Sequence, residues 1–148
     1  MQLFDANVQI GRFRQLTPGI PFTREELLKD MDRFGVAEAL VLDSLSREVH
    51  PSYGNRRVLG WTENEPRLHP AWALLPARGG ENGPLETLLD RMVAAGVRAV
   101  KLFPRQYSFN LEEWCLGSLL AVLEEGRVPT FIDYNPTYLS GWPPDDTD

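Results

Sequence analysis

Gly96-Val97-Arg98-Ala99-Val100-Lys101-Leu102-Phe103 sets the pattern of the chain: a glycine that closes a helix, then a short apolar run that reads as a buried parallel strand. The pattern recurs. Gly35-Val36 precedes Ala-Glu-Ala-Leu-Val-Leu, and Gly126-Arg127-Val128 precedes Pro-Thr-Phe-Ile-Asp133. The spacing is roughly 30 residues, the size of one βα unit.

Working outward, strand and helix patterns alternate from end to end. The first strand is Leu3–Ile10. Thr23 and Glu26 form a Thr-x-x-Glu capping box that opens a helix over 23–34, with Leu27, Leu28, Met31 and Phe34 as its apolar stripe and Gly35 as its stop. Strand two is expected over 39–42, a helix over 55–65 halted by Pro66, and strand three over 71–75. Pro84 starts the next helix, whose buried face is Leu85, Leu88, Leu89, Met92 and Val93. Strand four is 99–103, and the last helix, over 111–125, has Asn110 as its cap. Strand five is 130–133. The fold class is therefore α/β: parallel (βα) repeats making a partial TIM barrel of about four βα units plus a fifth strand. The domain spans 1–135, and 136–148, with Gly141, Pro143, Pro144 and three aspartates, reads as loop or disordered tail.

Half a barrel leaves strands one and five as unpaired edges and the inward face uncovered. Three situations satisfy this pattern. The chain is a fragment of a longer barrel, or a second copy completes it, or it is an open sheet covered by its own loops.

Composition narrows the function classes. Of 148 residues, 43% are hydrophobic and 24% charged, the profile of a soluble globular domain. A net charge of −6 without a basic run argues against nucleic acid as a partner. No apolar run reaches membrane-spanning length, and a strand beginning near residue 2 leaves no signal peptide, so the expected location is cytoplasmic. The lone Cys115 forms no intrachain disulfide and is expected to be a buried structural thiol.

In parallel α/β folds, function gathers at the carboxyl ends of strands. There lie Asn7, Gln9, Asp43, Lys101, Asp133 and Asn135, with His50 in the loop after strand two. Strand alternation puts Asp5, Asn7 and Gln9 on one face and Phe4, Val8 and Ile10 on the other. Lys101 and Asp133 are the candidate catalytic pair, Lys101 as electrostatic stabiliser or ion-pair partner and Asp133 as base. Asn7, Gln9, Asp43, His50 and Asn135 are candidate substrate-binding residues. His69, before Pro70, is expected on the amino-terminal, structural side. No Walker, dinucleotide-glycine or Gly-x-Ser-x-Gly motif is present.

The opening Asp5-Ala6-Asn7-Val8-Gln9-Ile10-Gly11 resembles the amidohydrolase superfamily, in particular its amidohydrolase-related clade of TIM-barrel hydrolases and decarboxylases, which opens Asp-Ala-His-x-His-x-Gly. Asn7 and Gln9 stand where that family has its two metal-binding histidines. Lys101, in Val-Lys-Leu-Phe-Pro, falls on the family's strand-four position, and Asp133, after Val128-Pro129-Thr-Phe-Ile, falls where strand five usually ends in histidine. The resemblance implies water activation on a divalent metal to cleave bonds of small molecules. With the histidines replaced, no metal ligand is assigned and no cofactor expected, a divalent metal being the alternative. The reading is a degenerate domain acting as a small-molecule-binding or self-associating half-barrel, a homo-oligomer or part of a longer barrel. The alternative is an amidohydrolase-related hydrolase or decarboxylase with an atypical or absent metal site.

Overall fold

The computed structural model describes residues 2–12 and 21–133. Five parallel strands pair in chain order into one curled half-barrel, with helices between them on the outer, convex side. The strands are β1 (Leu3–Ile10), β2 (Val36–Asp43), β3 (Leu68–Ala73), β4 (Ala99–Leu102) and β5 (Thr130–Ile132). The helices are α1 (Arg24–Phe34), α2 (Leu45–Glu48), α3 (Pro51–Thr62), α4 (Leu88–Ala94) and α5 (Glu113–Glu125).

β2 shows why the sheet is parallel and covered. Its last five residues, Ala39 to Asp43, are all buried. Ala39 and Val41 point outward to a cluster with Ile10, Leu27, Met31, Val58 and Leu68. Leu40 and Leu42 point inward to Ala71, Ala73, Ala99 and Phe103. A second outer cluster joins Val100 and Leu102 of β4 to Leu88 and Met92 of α4 and Leu116, Leu119 and Leu123 of α5. Each of these buried leucines contributes about 2 kcal/mol, so the outer layer holds the sheet together.

α1 is built as its sequence demands. Thr23 Oγ1 accepts from the Glu26 N–H at 3.2 Å, the Glu26 carboxylate accepts from the Thr23 N–H, and Gly35 ends the helix in the left-handed region at φ 69°.

Other expectations are corrected. The strands β2 and β3 begin three residues early, and β3 runs through Pro70, whose carbonyl accepts from Arg98 N–H at 3.1 Å. The proline's missing N–H falls just ahead of β4, so it costs the ladder little. α3 starts at Pro51, because the His50 side chain accepts from Ser52 N–H and caps it, and it ends at Thr62, before Pro66. Pro84 leads into a 3-10 turn, Leu85–Thr87, before α4 begins, and Val93 is 79% exposed rather than part of the buried face. α5 begins at Glu113; its cap position is Glu112, not Asn110, and no side chain caps it. After α5 the left-handed residue is Arg127 at φ 50°, while Gly126 stays helical. β5 is partly exposed rather than buried, since no sixth strand lies beside it among the described residues. Cys115 is half-buried.

The most consequential correction is in β1. Asp5 pairs with Ala39 but Val8 with Val41, so β1 carries one extra residue there. This bulge, with Asn7 N–H donating to Asp5 Oδ1 at 2.9 Å, resets the alternation. Phe4 consequently lies on the concave side, stacked on His69 at 5.9 Å, the same side that Asn7 and Gln9 face.

Candidate functional site

At the carboxyl end of the concave face is a cleft of about 600 Å³ lined by Asn7 and Gln9 of β1, Arg47 of α2, Lys101 of β4, Phe103, and Asp133 at the end of β5. The β4–β5 register sets Lys101 beside Phe131, so Asp133, two residues on, is the next inward position. Four of the sequence-nominated residues, Asn7, Gln9, Lys101 and Asp133, are thus brought together from strands far apart in the chain.

Lys101 is the centre of the site. It is only 3% exposed, and its Nζ donates to Asn7 Oδ1 at 2.8 Å. Burial strips water from the ammonium and lowers its pKa to about 8, although Asp5 and Asp133 pull in the opposite direction. Gln9 offers a buried Oε1 with no hydrogen-bond partner among the described residues. A buried amide oxygen without a donor is costly and is suited to a ligand that brings one.

Arg47 was not singled out from the sequence, because nothing in Leu-Ser-Arg-Glu marks it. Its place comes from tertiary contacts. The Tyr107 hydroxyl donates to the Ser46 carbonyl at 2.6 Å, pinning α2 over the sheet end, and the Arg47 guanidinium lies 5.8 Å from the centre of the Phe103 ring. Burial, with the nearby Glu48 carboxylate, raises the Tyr107 pKa to about 12, so the phenol remains a donor.

The other nominated residues lie elsewhere. Asp43 is fully buried on the convex side: it accepts from Trp61 Nε1 at 2.6 Å and Leu45 N–H at 2.9 Å and pairs with Arg57 at 3.3 Å. It stands an odd number of positions along the strand from the inward Leu40 and Leu42, so alternation turns it to the helices. Beside it Gly11, at φ 104°, passes so close to Ser44 Oγ that a Cβ would stand 2.8 Å from it. His50 caps α3 and is not among the cleft-lining residues. His69 pairs with Glu38 at 2.6 Å near the amino end of the sheet, as its position before Pro70 implied. Asn135 falls outside the described residues.

The donor set does not fit a zinc ion. Where two imidazoles would converge there are two neutral amides, and an ammonium already occupies the Asn7 oxygen. Among the described residues no group of three or more His, Cys, Asp or Glu is placed to hold a metal.

No protein-family model and no curated protein matches the chain. Among solved structures it superimposes on the crystal structure of a probable 2-pyrone-4,6-dicarboxylic acid hydrolase from Acinetobacter baumannii with citric acid bound, at a TM-score of 0.59 and 16% identity. The chain folds like half of that hydrolase. The match covers 95% of this chain and 52% of the other, so the likeness is one of fold, and this chain spans about half the neighbour's length. No helix among the described residues is long and apolar enough to cross a membrane.

Proposed function

We propose that this chain is an amidohydrolase-like half-barrel whose strand-end cleft binds a small carboxylate, and that zinc-dependent hydrolysis is not its activity. The observation that carries the reading is the Lys101–Asn7 hydrogen bond of 2.8 Å inside the cleft. A fixed organic cation takes the position that the superfamily resemblance reserves for a metal. Arg47 lines the same cleft, so a ligand meets two cationic side chains there, beside the Asp133 carboxylate. Two such donors, partly withdrawn from water, favour a carboxylate over a neutral ligand. The solved neighbour holds citric acid, which supports the same ligand class.

Isothermal titration with citrate tests this. The expected result is a saturable heat lost in the Lys101→Met variant; an unsaturable response in the millimolar range would overturn the reading. Turnover without a metal, with Asp133 as base and Lys101 stabilising charge, is the enzymatic form of the same site.

A second reading concerns assembly. Phe4, Leu40, His69, Ala99 and Phe131 line a largely apolar hollow of about 310 Å³ low on the concave face, and Phe4 and Phe131 are 55% and 39% exposed. We infer that a second copy covers it, since the neighbour's chain has about as much again beyond the matched part. Sedimentation should then give a dimer; a monomer at the highest attainable concentration would refute it.

A further inference from the structure

Fifteen basic side chains are present, and only Lys29 and Lys101 are lysines; all the others are arginine. The single lysine in the cleft is thus an exception to the chain's own usage, and the difference is chemical. Arginine stays protonated in proteins, whereas a desolvated lysine becomes a neutral amine near physiological pH. Of the two basic side chains, only lysine can serve as an amine nucleophile.

We propose that Lys101 forms an imine with a 2-oxo acid bound in the strand-end cleft, with Asp133 moving the proton and Arg47 holding the carboxylate. The inference rests on the carboxylate-binding reading above and adds a reactive carbonyl to the ligand.

The geometry supplies each part. Nζ reaches the cleft and is held by Asn7 Oδ1 at 2.8 Å, an acceptor that orients the amine without protonating it. Asp133 lines the same cleft on the adjacent strand, one inward position beyond the neighbour of Lys101. Arg47 lines the cleft as well, its guanidinium over the Phe103 ring. The charged groups known to face Nζ or share its cleft are therefore Asp5, Asp133 and Arg47. The apolar Phe131 and Ile132 complete the lining.

The step balances. Lys101 gives one proton to the Asp133 carboxylate, and the free amine attacks the carbonyl carbon, forming a C–N bond. A proton passes from nitrogen to oxygen to give the carbinolamine. Asp133 returns its proton to that hydroxyl, which leaves as water as the C–O bond breaks. The products are a protonated imine and water, with Asp133 again a carboxylate. No oxidant, reductant or metal is consumed. With its pKa near 8, Lys101 carries at pH 8 about a hundred times the neutral-amine fraction of an ordinary lysine.

The test is borohydride trapping with pyruvate at pH 8, read by intact mass and peptide mapping. Peptide mapping assigns the site, with Lys29, exposed on α1, and the chain's α-amino group as internal controls. Expected is one adduct per chain at Lys101, with the mass of pyruvic acid less one oxygen atom, well above the yield at Lys29. Trapping should rise with pH through 8, and Lys101→Arg should abolish it while retaining the fold by circular dichroism. Equal labelling of Lys29 and Lys101, or none at either, overturns the imine. Citrate binding read in parallel separates the two ideas: saturable citrate binding without an adduct removes the imine alone, and absence of both removes the carboxylate cleft as well.

Discussion

Replacing Lys101 by methionine should make the protein more stable. Lys101 releases its proton near pH 8 in the folded chain and near 10.5 when unfolded. Between those values the unfolded state binds more protons, so stability rises with pH across that window. Below it, the lysine is charged in both states and the full cost of burying it is felt. The gap, 10.5 less 8, corresponds to about 3 kcal/mol. This already includes the opposing pull of Asp5 and Asp133. Asn7, left without its donor, is exposed and rehydrates cheaply. Water entering the open cleft softens the burial cost, so the expected gain near pH 7 is about 2 kcal/mol. Methionine keeps the length and the apolar stem and removes the charge. Urea unfolding followed by tryptophan fluorescence measures it near pH 7 and again near pH 10, where the advantage should shrink below about 1 kcal/mol. Tyr107, whose phenol ionises near pH 12 when folded and 10 when free, makes both proteins lose stability at still higher pH and cancels in the difference. A variant less stable than the parent near pH 7, or an advantage independent of pH, would show that the charge of Lys101 is not held at a cost.

Asp43→Ala should cost about 3 kcal/mol by the same urea assay, since it strands the Trp61 and Leu45 N–H groups in a fully buried position; a loss under about 1 kcal/mol would mean water replaces the carboxylate. Gly54→Ala should unfold the α2–α3 corner, because a Cβ there would collide with the backbone of Ser46. Retained cooperative unfolding at the parental midpoint would place the two helices farther apart. Gly96, at φ 68° with open space around it, should tolerate size but not strain. Gly96→Val is therefore expected to cost about 1 kcal/mol or more and Arg127→Gly, at φ 50°, to gain up to about 1 kcal/mol. Equal midpoints for both variants and the parent would remove the left-handed assignments.

The βα order was legible because its signals are local. Thr23 and Glu26 cap a helix within one turn, Gly35 and Gly96 end helices by their own φ, and the apolar run Leu40–Leu42 needs only its neighbours in sequence to read as a buried strand. The strand-end rule likewise picked out Asn7, Gln9, Lys101 and Asp133. What could not be read depended on distant partners. The bulge that turns Phe4 inward arises from pairing with β2. Asp43 faces Trp61 and Arg57 because the helix after it crosses the convex side. Arg47 enters the cleft because Tyr107, some sixty residues on, fastens α2. Val93 looked like a buried helix position, but α4 is only seven residues long and turns that edge to solvent.

Native mass spectrometry of the chain, with zinc and then citrate added, addresses the central claim that an organic cation, not a metal, organises the cleft. The account predicts one citrate per chain, lost in Lys101→Met, and no stoichiometric zinc dependent on β1. One zinc held per chain and released by Asn7→Ala and Gln9→Ala would contradict it.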